Sequence, residues 1–307
     1  MRIIKNAFVY SVPTLPAMDL MTVTASDYAL QPLAAASQSS IGFVQNALTG
    51  CWVTPIAGGY SFVFQIDEKV LPPAAVSKRL AAAVADIEAR QGRTVYRKER
   101  LEIKDDVLAR MLPVAFVVSR QVVAFYNATT RILMLDTGSA KVADMCIDTL
   151  REALGGLKAI KLHIDHLCFT LTQRVLSFDD GTVPTFGTLD LGGQITLADP
   201  EGAKVTFVAD NGAWLPLDEI NQLIRDGMYI KSLALIGRGA EFKLNVDDCV
   251  FKSVRISDSA DDQEIEDVGQ LWAHEAGIEA LIMQQQITDL LALTGSIFPP
   301  ADEDTED

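Results

Sequence analysis

The chain has 307 residues and a mass of 33.4 kDa, with 49% hydrophobic and 22% charged side chains and a mean hydropathy of +0.19; this balance excludes a disordered chain and allows one or two packed cores. No apolar run reaches the roughly 18 residues of a membrane span, and the opening MRIIKNAFVYSVPTLP lacks the apolar stretch and cleavage site of a secretory leader, so a cytoplasmic protein without membrane contact is expected. The net charge of −15 argues against a nucleic-acid partner, yet of the 41 acids 14 follow Arg255 and none of the 26 bases does, which leaves residues 1–255 nearly balanced at 27 acids to 26 bases.

In chain order, IIKNAFVYSV reads as a strand from its β-branched and aromatic content, and GGYSFVFQI (58–66) as another. A helix is predicted over 73–91, with Pro72 and Pro73 at its start, Gly92 at its end and Val76, Leu80, Ala83, Val84 and Ile87 at helical spacing. A second helix is predicted over 101–112, closed by Pro113, followed by a hairpin in VVAFYNATTRILMLD (122–136). AKVADMCIDTLREALGG reads as an amphipathic helix ended by Gly155 and Gly156, with Thr137 or Ser139 as its N-cap. From 158 to about 211, KLHIDHLCFTLTQRVL, TFGTLDLGGQITLAD and AKVTFVAD alternate apolar and polar residues and predict strands. A short helix (217–227), strands in IKSLALIG and EFKLNVDDCVFKSVRI, a long helix from Ile265 to Gly295 and a disordered acidic tail complete the pass, with no internal repeat.

Motif chemistry is sparse. Cys51, Cys146, Cys168 and Cys249 lack paired spacing and read as small hydrophobes, not as a disulfide or zinc framework. LMLDTGSA (133–140) carries the Asp-Thr-Gly of aspartic proteases, which would make Asp136 one carboxylate of a dimeric site; the helix that follows favours a strand–turn–helix connection instead. His163, Asp165, His166 and Cys168 include metal-binding types, but strand alternation would split them between two faces, and His274 is expected to face solvent. No nucleotide-binding or common hydrolase motif occurs, and no cofactor or metal is expected.

The anomaly is RQGRTVYRKER (90–100): five bases (Arg90, Arg93, Arg97, Lys98, Arg100) against one acid, Glu99, around an aromatic, Tyr96. With Lys104 and Arg110 the run is either a solvated connection between helices or a phosphate-binding surface, and composition leaves both open.

Collinear segments break the tie. KNAFVY, DEKVLPPAAVSKRL, IKDDVLARMLPVAF, the hairpin into LMLDTGSAKVADMCIDTLREALG, and LTQRVL together resemble the RdgC family of bacterial recombination-associated proteins, most densely over 67–155. The resemblance implies an α+β fold of mixed or antiparallel sheets with packed helices, with subunits joined head to head and tail to tail in a ring-shaped homodimer. Such a ring encircles double-stranded DNA without sequence preference, restrains a RecA-type recombinase and catalyses nothing. It further implies a central α+β domain (1–72 and 114–160), a projecting helical arm (73–113) and a base region (161–298) with the C-terminal helix, before the tail 299–307, in a nucleoid-associated protein.

On that basis Arg90, Arg93, Arg97, Lys98, Arg100 and Lys104 are expected to contact phosphates, with Arg120, Lys5, Lys69, Lys78 and Arg79 as weaker candidates. Phe116 is expected at the arm's dimer contact. The terminal helix, through Leu271, Trp272, Ile278, Leu281, Ile282, Ile287, Leu290 and Leu291, is expected in the base and the dimer interface. Two departures from the family pattern, Val114 where an arginine is usual and Asp210 near Lys204, keep open a partner-binding modulator with weak or lost DNA affinity.

Overall fold

The computed structural model describes residues 3–178, 184–209, 214–257 and 265–297. Asp210 and the tail 299–307 lie outside the described residues. The strands are β1 (Phe8–Ser11), β2 (Ser39–Val44), β3 (Val53–Ile56), β4 (Gly59–Val70), β5 (Phe116–Asn127), β6 (Ile132–Leu135), β7 (Ile160–Lys161), β8 (Thr185–Phe186), β9 (Leu189–Ala198), β10 (Lys204–Val208), β11 (Tyr229–Gly237), β12 (Ala240–Asn245) and β13 (Val250–Ile256). The helices are α1 (Met18–Asp27), α2 (Pro73–Gln91), α3 (Arg97–Met111), α4 (Ala140–Ala153), α5 (Leu167–Leu176), α6 (Leu217–Arg225) and α7 (Val268–Thr294), so the α+β expectation holds.

Two compact units divide the chain: the described parts of Met1–Asp27, Gln45–Val63 and Val122–Asp307 form one, and Tyr28–Val44 with Phe64–Gln121 the other. Both sides of the expected 160/161 boundary fall in the first unit, and the expected arm 73–113 falls whole in the second.

In the first unit, β5, β6, β1 and β7 pair antiparallel in that order, and β3 forms a hairpin with the start of β4. A second antiparallel sheet runs β10-β9-β11-β12-β13. One core serves both: Val9, Phe125 and Met134 belong to the same buried cluster as Ile195, Leu233, Phe242 and Phe251 and as Trp272, Met283, Ile287 and Leu290 of α7. Because α7 is buried on most of its circumference, it carries mostly apolar and neutral residues, with Glu275, Glu279 and Asp289 as its acids, and approaches its neighbours closely; a Cβ on Gly277 would stand 2.7 Å from the Ala57 backbone nitrogen.

The N-terminal segment enters this core along carboxylates. Glu279, only 7% exposed, accepts from the backbone N–H of Ile3 and of Ile4, the latter at 2.7 Å. Asp136 Oδ1 then accepts from the N–H groups of Lys5 (2.9 Å) and Asn6 (2.8 Å). Four consecutive donors are thus satisfied before Ala7 bridges to Phe251. Burial pushes the Glu279 carboxyl above its ordinary range, against the opposing pull of those two N–H groups.

In the second unit, β2 lies beside β4 and β4 beside β5. Residues 28–30 run against β2 so closely that a Cβ on Gly42 would meet the Leu30 Cα at 2.4 Å, which requires glycine there. Helices α2 and α3 pack as a hairpin through Val76, Val107 and Met111, joined by Leu71, Ala75, Ala83, Ile103 and Leu108. Proline at the first position and Gly92 in the left-handed region (φ 62°) bound α2 as its sequence predicts.

Three local expectations need correction. Residues 167–176 form a helix, not a strand: His166 turns the chain with φ 58°, and Leu167, Leu171 and Val175 recur every fourth position and are buried. Helix α3 starts four residues before its expected start, so Arg97, Lys98 and Arg100 stand in its first turns and the connection shrinks to Gly92–Tyr96. His274 is half-buried in α7, not solvent-facing.

Candidate nucleic-acid interface

The connection between α2 and α3 is a tied turn. Gly92 donates to the Glu88 carbonyl at 2.9 Å and Val95 N–H donates to Glu88 Oε1 at 2.9 Å. The Arg93 guanidinium forks the Glu99 carboxylate with two bonds of 2.7 Å. That fork raises the Arg93 pKa and holds the Glu99 carboxyl below its usual range. Tyr96, in extended conformation just before α3, leaves its side chain 74% exposed.

The basic candidates therefore separate into classes. Arg93 is committed to Glu99, Arg90 to Asp86 at 3.0 Å within α2, and Arg120 faces Glu68 at 3.8 Å. Lys69 is 7% exposed and donates from Nζ to the carbonyls of Ala34 (2.7 Å) and Ala35 (2.6 Å), so its charge closes a loop within the second unit. Arg97, Lys98, Arg100 and Lys104 are exposed and, among the described residues, have no ion pair; the same holds for Lys78 and Arg79 on α2 and for Lys5 in the first unit. Spacing of three and four residues puts Arg97, Arg100 and Lys104 on one face of α3.

The charge order of α3 opposes helix stability. Bases at the first, second and fourth helical positions sit at the positive end of the macrodipole, where an isolated helix favours acids. The one acid of that first turn, Glu99, is engaged by Arg93 across the connection.

The apolar candidates separate too. Phe116 is 86% and Val114 78% exposed, and Val117 and Val118 are also exposed, so the second unit carries an uncovered apolar strip at the start of β5. Leu281 is 43% exposed. Leu290, Ile287, Trp272 and Leu291 are buried in the first unit's core, and the partly buried Ile282 packs on it. Leu271 and Ile278 are half-buried.

A family profile described as "Putative exonuclease, RdgC" matches residues 3–298. The chain belongs to the RdgC family. It is 29% identical over 217 residues to the Recombination-associated protein RdgC of Aeromonas hydrophila, an alignment spanning 70% of this chain and 69% of that protein. Proteins of the same name from Sodalis glossinidius (25% identical, 94% of each chain) and Xanthomonas campestris (27% identical, 94% of this chain and 95% of the relative) align almost end to end.

The exonuclease in the family's description and the recombination in its relatives' names direct attention to the acidic and metal-binding side chains of this RdgC-family chain. Among the described residues no group of three or more His, Cys, Asp or Glu side chains is placed to share a metal ion. His163 Nε2 lies 3.3 Å from Asp165 Oδ1 at the surface, while the Cys168 thiol points to the Ile230 carbonyl at 3.5 Å. The Asp-Thr-Gly segment leads from β6 directly into α4. Ser139 is the N-cap but makes no side-chain capping bond, whereas Thr137 Oγ1 accepts from the Ser139 N–H at 3.2 Å.

Asp136 is thus an anchor for the N-terminal segment, and its substitutions should behave accordingly. Asp136→Asn keeps an acceptor at Oδ1 and is expected to fold as the wild type does. Asp136→Ala leaves the Lys5 and Asn6 donors to solvent and should cost about 1–3 kcal/mol in chemical denaturation. A peptidase activity present in the wild type and absent from a folded Asp136→Asn variant would restore the protease reading.

Proposed function

We propose that this protein is a non-catalytic, sequence-independent duplex-DNA-binding homodimer, closed as a ring around the DNA, that modulates recombination by restraining a RecA-type recombinase. The observation that carries the reading is the set of exposed bases Arg97, Lys98, Arg100 and Lys104 along the first half of α3, without an ion pair among the described residues, in a family whose relatives are named for recombination. Such a cluster neutralises phosphates and reads no base edges. Lys78, Arg79 and Lys5 are secondary contacts, and Arg93, Arg90 and Arg120 contribute only if DNA displaces their carboxylate partners. Phe116 and Val114 supply the apolar surface for a second copy of the chain, with Leu281 as a lesser contact. Localisation to the nucleoid follows from the same DNA affinity.

The test is fluorescence anisotropy of two unrelated duplexes with the full-length protein, beside light scattering and recovery of the DNA. A dimer that binds both duplexes alike and returns them intact in the presence of magnesium supports the reading. A monomer near 33 kDa at all concentrations removes the ring. Release of nucleotides replaces the non-catalytic reading with the exonuclease of the family's description. The exposed Val114–Val118 strip favours one second reading, a modulator that docks on a partner protein; a dimer that restrains strand exchange without binding duplex DNA would establish it.

A further inference from the structure

We infer that Tyr96 is a stacking platform for an unpaired DNA base, which gives the α2–α3 hairpin a preference for gaps and single strands beyond its attraction to phosphate. The inference rests on the DNA-binding reading of the same surface.

Tyr96 is 74% exposed and takes no part in the small core of the hairpin, which is built from Val76, Val107 and Met111 and the apolar residues around them. Large aromatic surface at a helix connection is costly to leave in water, and Tyr96 is not among the apolar residues that pack α2 against α3. The turn that carries it is held at three points, by Gly92 on Glu88, Val95 on Glu88 and Arg93 on Glu99. The Tyr96 carbonyl also accepts from Arg100 N–H at 2.9 Å. A ring presented from so constrained a backbone loses little conformational freedom on binding.

Its neighbours complete the chemistry. Arg97 and Lys98 follow it directly and Arg100 begins the next turn, all exposed and without an ion pair among the described residues, so phosphate contacts are available beside the ring. Aromatic side chains interleaved with bases are how single-stranded nucleic acid is held, the ring taking a base face and the cations the backbone. In an intact duplex every base face is covered by its neighbours. Stacking on Tyr96 therefore requires a base that a gap, flap or single strand has released, whereas the cations serve both substrates equally.

The experiment compares the full-length wild type, Tyr96→Ala and Tyr96→Phe on an intact duplex, on the same duplex with a short single-stranded gap, and on a single strand, with 2-aminopurine at the unpaired position. Tyr96→Ala should weaken binding to the gapped and single-stranded DNA by about 5- to 150-fold, the range found for loss of one stacked base, and change intact-duplex binding by less than about twofold. Wild type and Tyr96→Phe should quench 2-aminopurine, and Tyr96→Ala should not. Equal weakening on all three substrates, or unchanged quenching with Tyr96→Ala, overturns the stacking site while leaving the DNA-binding reading intact. Failure of the wild type to bind any of the three removes both.

Discussion

Replacing Arg97, Lys98 and Arg100 together with Gln should reduce the slope of log K against log salt for duplex binding by about 2.7 for each hairpin that engages DNA, at roughly 0.9 for every phosphate no longer neutralised. Between 50 and 200 mM salt the wild type should therefore lose roughly 40-fold more affinity than the variant when one hairpin engages. The change should be the same on unrelated sequences, because phosphate contacts position a protein without reading bases. Arg93 is kept out of the set since its fork on Glu99 holds the turn, and its removal would confound weaker phosphate binding with a loosened loop. Stability should stay within about 0.5 kcal/mol of the wild type or rise slightly, because the substitutions relieve repulsion between the three bases and the α3 dipole. Circular dichroism and dimer mass check the fold. A folded variant with unchanged affinity and slope would show that the basic run is a solvated surface and that the DNA-binding reading is wrong at this site.

Removing the Glu279 side chain should destabilise the first unit by roughly 2–6 kcal/mol, since Glu279→Ala strands the Ile3 and Ile4 N–H groups in the core at about 1–3 kcal/mol each. Glu279→Gln keeps one acceptor and should cost less. The pair also separates on pH. Burial raises the Glu279 pKa in the folded chain above its unfolded value near 4.3, so within that interval the folded state holds the extra proton. Its contribution to stability is fully present below the ordinary glutamate range and is lost as pH rises through the raised folded value. Glu279→Gln does not titrate and should lack that component of the pH dependence, which urea unfolding at a series of mildly acidic to neutral pH values would reveal. Equal stability of Glu279→Ala and wild type would mean that the N-terminal segment finds other acceptors.

Local signals account for the parts of the fold that were legible in advance. Pro73 and Gly92 bound α2, and Val76, Leu80 and Val84 mark its buried stripe, all within one stretch of chain. The hairpin of β5 and β6 and the strands β11 to β13 likewise announce themselves by apolar alternation and intervening turns. Helix α5 was hidden because LCFTLTQRVL alternates well enough to pass for a strand, although its fourth-residue repeat of Leu167, Leu171 and Val175 was also present. Helix α1 and strand β2 carry little local signal: α1 buries only Met21 and Ala25, and β2 depends on Gly42 admitting the Leu30 backbone.

The basic run at 90–100, the balance of charge before Arg255 and the collinear resemblance to RdgC proteins were properties of the sequence by itself, because they depend on residue types and order alone. Which charges stand free was decided only by the tertiary structure. Lys69 is spent on carbonyls 34 and 35 residues away, Arg93 on a carboxylate across the turn, and the N-terminal donors on Asp136 and Glu279, up to 276 residues distant. Composition records a charge wherever it stands in the chain, but a charge's partner is set by which backbone the fold brings within hydrogen-bond reach, and that distance is not written in any local stretch of sequence.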